Sequence, residues 1–341
     1  MAGHTTADLL PLLHHRFWEI RKAAAYVLGR KPDLRQEAIR TALAAALKEM
    51  DIYVLAELIP AVASAGAASA TERLRTLLKH EQPFTRQAAI VALAQLRDRG
   101  AVPQLVAAAE APDLQVSVAA LGALARLGDA AGLPVLRRFA REKPPVRQAV
   151  AVQGLAMVGD AESIPYFRQL LRGGNDQLAV AAARALGQLR AEAAITDLIA
   201  AWESNRSGLR IAIEPALAQL DAKKVLRRLL ALPGGPGERE QARRRLVATH
   251  FHRAEKELPD VKATLPAGTL PSLAGALTAA IPADDRHHAG RQVRPNQLRR
   301  IQQLDAWYFV QGDDGQEGHV FAVRRQGDVW RDARVISGWI A

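Results

Sequence analysis

The sequence predicts a mainly α fold, a right-handed α-α superhelical solenoid of about seven helical hairpins, plus a small C-terminal α+β segment with a β-meander. Two observations indicate the solenoid: an alanine-rich segment and a proline recur at the same interval. A third observation, the change to a two-residue period after Arg300, indicates the meander. Repeats of this length are typical of solenoids, because each unit buries its apolar side only against the next unit.

The alanine-rich segment has the form ALAQLRD, as at residue 92. Its third residue recurs after a step of 34 residues and then after five steps of 31. Equal steps indicate one structural unit copied along the chain. The seven positions are Gly29, Ala63, Ala94, Ala125, Ala156, Gly187 and Ala218.

Each repeat is predicted to hold two helices. Pro103, Pro134 and Pro165 lie 31 residues apart, and each is expected in the first turn of a short first helix, where the missing N–H of proline is harmless. The second helix, for example the one from Phe84, has apolar residues at three- and four-residue spacing, which predicts one buried stripe. Alanines in that stripe let neighbouring helices approach closely.

The arrangement resembles HEAT repeats, specifically the short HEAT-like repeats named after phycobilisome bilin lyases, from about Asp8 to Leu232. The resemblance implies a first helix on the convex side and a second helix on the concave side. One repeat departs from the pattern, because Arg147 lies one residue early, and this predicts a shifted helix start or a small bulge there. The signals are the turn aspartates Asp51 and Asp113, the arginines Arg21, Arg86 and Arg210 near the start of the second helix, and the ALG or ALA near its end.

Three domains are expected: a HEAT-like solenoid over 1–232, a helical cap and linker over 233–300, and a β-meander module over 301–341. The proline-rich segment 259–296 reads as loop. Strands are predicted at 306–311, 318–325 and 329–337, joined by hairpin turns. We expect this meander to pack on preceding helices or on a partner. One apolar face is predicted for Trp307, Phe309, Phe321 and Trp330.

Composition limits the classes of function. The chain has no Cys, which excludes disulfides and thiolate metal sites. Neither a signal peptide nor a membrane-spanning stretch is recognised, so a cytoplasmic location is expected. The net charge of +11 favours an anionic partner, nucleic acid included.

Two rows along the second helices predict the binding surface. These rows are small, apolar or amide-bearing, whereas a phosphate-binding groove would carry Lys or Arg at successive steps. They favour a protein or peptide partner on the concave face. The predicted partner-binding residues are Lys22, Tyr26, Gln87, Val91, Val118, Gln153, Val180, Arg184 and Ile211.

Basic rows on the first helices leave an alternative open, in which an outer ridge binds anions such as nucleic acid. A form similar to the HEAT-like DNA glycosylases would use Trp18, Trp202 and Tyr26. The resemblance also implies a bilin-lyase-like chaperone or enzyme as a further alternative. The basic rows consist of Arg75, Arg137 and Arg168, and of Lys79, Arg141 and Arg172.

The sequence offers only weak candidates for catalytic or metal-binding motifs. His250 and His252 with Glu255 point to different faces of a helix and suit a metal poorly. No GxSxG elbow and no phosphate-binding glycine loop occurs, and the His-Glu dipeptide at His80 has no aligned twin, unlike the pairs of deoxyhypusine hydroxylase. We therefore expect no catalytic residue, no metal and no cofactor, and interpret the chain as a non-catalytic scaffold.

Overall fold

The chain is mainly helical, a solenoid of helical hairpins with a small antiparallel sheet in its C-terminal part. A computed structural model describes residues 6–31, 33, 35–142, 144–204, 206–232, 238–266, 269–280, 294–295, 298–313, 317–327 and 329–340. The chain divides into two compact units, Met1–Leu189 and Arg190–Ala341. No helix within the described residues is long and apolar enough to cross a membrane.

In the first unit, odd-numbered helices are the first helices of the hairpins and even-numbered helices are the second. Consecutive second helices pack against each other from the first to the last. The helices are α1 (Thr6–Leu9), α2 (Trp18–Leu28), α3 (Glu37–Ala46), α4 (Ile52–Ala65), α5 (Thr71–Leu77), α6 (Pro83–Gln95), α7 (Val102–Ala109), α8 (Leu114–Leu127), α9 (Gly132–Phe139), α10 (Pro145–Met157), α11 (Ile164–Arg172) and α12 (Asp176–Gln188).

The helix starts follow from local chemistry. Pro103, Pro134 and Pro165 lie in the first turns of α7, α9 and α11, as predicted. The turn aspartates are N-caps: the Asp51 carboxylate accepts from the N–H of residues 53 and 54 in α4, and Asp113 accepts from residue 116 in α8. Each cap satisfies backbone donors that a helix start otherwise leaves unpaired.

Small residues set the spacing of the second helices. A Cβ added at Gly29 would lie 2.8 Å from the Ala61 Cβ, and one at Gly154 would lie 3.0 Å from the Ala125 Cβ. A side chain at Gly29 would therefore force its neighbour to shift, and one at Gly154 would fit only tightly. Of the predicted apolar stripe of α6, Ala89 and Leu93 are fully buried and Leu96 is half-buried. The aligned alanines Ala63, Ala94, Ala125 and Ala156 are at most 5% exposed.

The shifted start or bulge predicted from Arg147 is wrong. Helix α10 is continuous, has 13 residues like α6 and α12, and keeps the 31-residue step. Gln148, rather than Arg147, occupies the position of Arg86 and Arg210, and its side chain donates to the Ala140 carbonyl at 3.3 Å. A glutamine amide makes the bond there that arginine makes elsewhere.

The second unit joins more helices to a four-stranded sheet. Its sheet is an antiparallel meander in the order β1-β2-β3-β4. Its elements are α13 (Ile195–Glu203), α14 (Ser207–Ala218), α15 (Ala222–Leu230), α16 (Glu238–Ala254), α17 (Thr269–Ala280), β1 (Leu298–Leu304), β2 (Trp307–Asp313), β3 (Glu317–Gln326) and β4 (Val329–Ile340).

The three predicted strands are confirmed, and β1 is an additional strand. The prediction of one apolar face for Trp307, Phe309, Phe321 and Trp330 is wrong. Register pairs Val310 with Phe321 and Phe309 with Ala322, so Phe309 and Phe321 lie on opposite faces. Phe309 stacks on Phe251 of α16 at 4.5 Å between ring centroids. On the other face, Phe321 and Trp330 pack with Tyr308 and with α17.

The sheet packs on helices of its own unit, as expected for a small meander. Helix α17 corrects part of the loop predicted for 259–296, because its Leu273 and Leu277 are fully buried against the sheet. Residues 267–268, 281–293 and 296–297 of that segment lie outside the described residues. Arg227 of α15 makes a bidentate ion pair with Asp305 in the β1–β2 turn, at 2.6 and 3.1 Å. This turn is thereby fixed to the repeat helix α15.

Candidate partner-binding face

The predicted partner-binding residues of the first unit lie at its surface. Tyr26 and Val91 are about half exposed, at 47% and 50%. Gln153 and Arg184 are exposed as well, while the remaining four are half-buried: Lys22, Gln87, Val118 and Val180. Ile211 belongs to α14 in the second unit and is 74% exposed. We call the solvent-facing side chains of α2, α4, α6, α8, α10 and α12 the second-helix face.

Aromatic side chains concentrate at one end of the second-helix face. The Trp18 and Tyr53 rings are 5.3 Å apart between centroids, and both are exposed. Phe84, one repeat after Tyr53, is 62% exposed. Tyr26 is covered on one side by the Arg30 guanidinium, 3.6 Å from the ring centroid. Exposed aromatics grouped in this way are typical of a contact surface.

A cleft of about 270 Å³ opens between α4 and α6, with Phe84 among its lining residues. Its walls are mostly apolar, with Ser64 and two glutamines as the polar members. Pro60 has no N–H and so cannot make the helical hydrogen bond to the Ala56 carbonyl. The lining residues are Pro60, Ala63, Ser64, Phe84, Gln87, Ala88, Val91, Ala92 and Gln95.

On the part of the second-helix face formed by α6 to α12, charge is sparse and mostly positive. From α6 to α12 the second helices contain four arginines and one acid, Asp176 at the start of α12. Arg86 and Arg147 are engaged by backbone carbonyls. Arg126 and Arg184 are exposed, and neither forms an ion pair within the part of the chain that the structure describes.

The first-helix arginines form structural ion pairs. Arg75 binds Asp98 through two hydrogen bonds of 2.7 and 2.6 Å. Arg137 binds Asp160 in the same way, at 3.0 and 2.5 Å. In both pairs the aspartate lies 23 residues after the arginine, in the turn before the next first helix, so each pair ties two consecutive repeats together. The Arg137 hydrogen bonds hold the pKa of Asp160 below its usual value.

The other residues of the basic rows have varied surroundings. Arg141 lies over the Tyr166 ring at 4.9 Å and donates to the Arg137 carbonyl. Arg168 and Arg172 also have interaction partners, and Lys79 is exposed. Because Arg75 and Arg137 already satisfy carboxylates, these rows present less free positive charge than the sequence indicates.

Arginines near the start of the second helices cap the preceding helix. Arg21 and Arg86 each donate to two carbonyls in the turn before their helix, His80 and Glu81 in the second case at 2.8 Å. Arg210 donates to the Trp202 carbonyl at 2.9 Å, and Ser117 replaces it in α8, donating to Ala109 at 2.6 Å. This row therefore satisfies carbonyls at the end of the first helix or in the turn that follows it.

Burial acts to raise the pKa of Glu49, but hydrogen bonds from the Arg21 side chain and from two backbone N–H groups outweigh it and lower that pKa. Arg21 Nε lies 2.5 Å from Glu49 Oε2. This arginine of the capping row therefore also binds a carboxylate of the next repeat.

The two candidate metal-ligating histidines of α16, His250 and His252, lie in different environments, as their spacing predicts. His250 is fully buried, and burial and the Arg253 charge lower its pKa to about 4. His252 is exposed and lies 3.5 Å from Glu255. Within the described residues, no three His, Asp or Glu side chains are grouped to hold a metal ion.

The aromatic residues named for the glycosylase-like alternative do not share one environment. Trp202 is a core residue, 1% exposed, whose indole N–H donates to Glu214 at 3.1 Å. Trp18 and Tyr26 are exposed in the first unit. Trp202 is thus unavailable for stacking on a base, contrary to that prediction.

Several solved structures are similar to this chain. One is the complex of CpcE and CpcF of phycocyanin lyase from Nostoc sp. PCC7120, at 19% identity and a TM-score of 0.45, covering 73% of this chain and 96% of that chain. Human deoxyhypusine hydroxylase in complex with glycerol matches at 15% identity and a TM-score of 0.29, covering 63% and 95%. An engineered protein matches at 22% identity and a TM-score of 0.36, covering 64% and 96%. None of these similarities bears on function.

A family model gives the stronger comparison. No curated protein matches the chain. The model for HEAT repeats matches at residues 39–116, 85–156, 102–183 and 142–218. These matches together span 39–218, a little over half of the chain, and follow the helical hairpins described above. The chain therefore belongs to the HEAT-repeat family.

Proposed function

We propose that this protein is a non-catalytic scaffold that binds a protein or peptide through its second-helix face. The observation that carries the proposal is the apolar cleft between α4 and α6, whose lining includes the exposed side chains of Phe84 and Val91. Large apolar side chains left in water are a favourable contact for a partner, because burying them releases about 25 cal/mol per Å².

Solenoid architecture supports the proposal. Helices that repeat at a constant step create a long, continuous surface suited to extended partners. The predictions of a solenoid over 1–232, a cap and linker over 233–300, a β-module over 301–341 and a cytoplasmic location stay predictions.

A matched pair of valines tests the proposal. Val91 and Val329 are both about half exposed, at 50% and 54%, but only Val91 lines the cleft. Partners captured from the producing cell are identified, purified and titrated against wild type, Val91→Asp and Val329→Asp. We expect Val91→Asp alone to weaken binding, by tenfold or more. Equal binding by all three proteins would refute the second-helix face as the binding site.

Nucleic-acid binding through the first-helix rows is the alternative that the same experiment must separate. Arg75 and Arg137 are occupied by Asp98 and Asp160, which weakens this alternative. Its signature is binding of single- or double-stranded oligonucleotides whose affinity falls steeply with salt. Salt-sensitive binding that Val91→Asp leaves unchanged would favour nucleic acid over the scaffold proposal.

A further inference from the structure

The chemistry of the second-helix face indicates which kind of peptide it binds, and this inference rests on the proposed function. The cleft between α4 and α6 measures about 270 Å³, just below the roughly 300–1,000 Å³ of pockets that hold whole small ligands. Its size and apolar walls suit one bulky apolar side chain. A side chain of this kind would contact Phe84 and Val91.

Amide groups beside the cleft suit the backbone of an extended chain. Gln87 and Gln95 line the cleft, and Gln153 is exposed on α10. A glutamine amide donates and accepts, so it pairs with both the N–H and the C=O of a peptide. A bound helix satisfies those groups internally, whereas an extended peptide presents them.

From α6 onward, the free charges on this face are positive and lie beyond the cleft. Arg126 of α8 lies one helix after α6, and Arg184 of α12 lies three helices after it. Because neighbouring second helices pack directly, these steps correspond to about 10 and about 30 Å. An extended peptide advances about 3.3 Å per residue, so it covers the two distances in about three and about nine residues.

Acidic residues that could repel a peptide carboxylate are scarce there. Glu57, one turn before Pro60 on α4, is paired with Arg30 at 3.6 Å. A nucleic-acid strand would need a cation at each step, but α6 offers Val91 and Gln95, and α10 offers Gln153, at the corresponding positions. Two separated arginines are complementary to two separated carboxylates.

We propose that the second-helix face binds an extended acidic peptide. A bulky apolar side chain of the peptide occupies the cleft between α4 and α6. Carboxylates about three and about nine residues further along the peptide pair with Arg126 and Arg184.

A random-peptide display library, selected on the full-length protein, tests this inference. We expect enriched peptides to combine an apolar residue with Asp or Glu at the two spacings. Arg126→Glu/Arg184→Glu should lower the affinity of an enriched, synthesised peptide at least about tenfold, the loss of roughly one charge-assisted hydrogen bond. Arg126→Gln/Arg184→Gln should give a smaller loss in the same direction, and it covers the case in which charge reversal disturbs folding.

The control is Lys48→Glu/Arg99→Glu, which makes the same change of charge at two exposed residues outside the second helices. It should leave the affinity unchanged. Enriched peptides without acidic residues, unaffected at Arg126 and Arg184 but weakened by Val91→Asp, would overturn the inference and keep the proposed function. Peptides insensitive to Val91→Asp, or no enrichment over the uncoated surface, would overturn both.

Discussion

The two helix layers of the first unit use arginine differently. In the first-helix layer, Arg75 and Arg137 hold an aspartate of the next repeat in a bidentate pair. On the second-helix face, Arg126 and Arg184 are exposed and form no ion pair within the described residues. Arg75 and Arg137 therefore stabilise repeat stacking, whereas Arg126 and Arg184 stay available for a partner. The net charge of +11 does not show which arginines are paired. The positions of their partner carboxylates do.

Removing a carboxylate from the first layer should give the largest effect on stability. Asp160 is buried, 7% exposed, and also accepts from Ser163 Oγ at 2.6 Å. We expect Asp160→Ala to lower the free energy of unfolding by about 2 kcal/mol, since a charge-assisted network is lost. Arg184→Ala should change it by less than about 0.5 kcal/mol, as for an ordinary surface position. Denaturant unfolding of both variants measures the contrast, and equal losses would contradict the division between the layers.

The Arg137–Asp160 pair should also make the stability of the protein depend on pH in the acid range. The lowered pKa of Asp160 means that the unfolded chain takes up this proton first as the pH falls. The stabilisation is thus complete above the ordinary Asp pKa of about 4 and is lost as the pH falls through the lower folded value. Unfolding measured from neutral to acid pH should show a shallower decline for Asp160→Asn than for wild type. Identical slopes would mean that the ion pair does not contribute in solution.

Alanine substitutions at two glycines, one in each layer, should change the stability in opposite directions. A Cβ at Gly100 would lie 2.2 Å from Arg75 Nη2, which Asp98 holds in place. We expect Gly100→Ala to destabilise by about 1 kcal/mol, as strain of this kind does. Gly122, inside α8 on the second-helix face, has nothing within 4 Å, so Gly122→Ala should stabilise by about 0.5–1 kcal/mol through helix propensity. Thermal unfolding of both variants measures these changes. Stabilisation by Gly100→Ala would show that the Arg75–Asp98 ion pair does not hold the Arg75 side chain in place.

The helical repeat could be predicted from the sequence because its signal is local and copied. The 31-residue step, the first-turn prolines and the alanine stripe each reflect contacts between neighbours in the chain or adjacent repeats. The 23-residue spacing of Arg75 to Asp98 and of Arg137 to Asp160 was equally visible. An alignment of the arginines with each other does not reveal this spacing, because the partner carboxylates lie in a different part of the repeat.

The C-terminal part was harder because its contacts are less regular. Strand β1 (LRRIQQL) alternates weakly, and its Gln302 is buried with its amide donating to the Leu258 carbonyl at 3.1 Å. A buried polar residue interrupts the alternation of apolar and polar residues by which a strand is predicted. The face occupied by Phe309 depends on register with β3, which strand propensity does not determine.

Photocrosslinking tests the central claim, that partners bind the second-helix face, most directly. The photoreactive p-benzoyl-phenylalanine replaces either Gln153 on α10 or Gln169 on α11, two exposed glutamines of the two layers. Irradiation in the producing cell, followed by denaturing purification and mass spectrometry, identifies what each position contacts. We predict specific adducts with a protein at residue 153 and none at residue 169. Adducts at residue 169 alone, or nucleic acid as the species crosslinked at residue 153, would contradict the account.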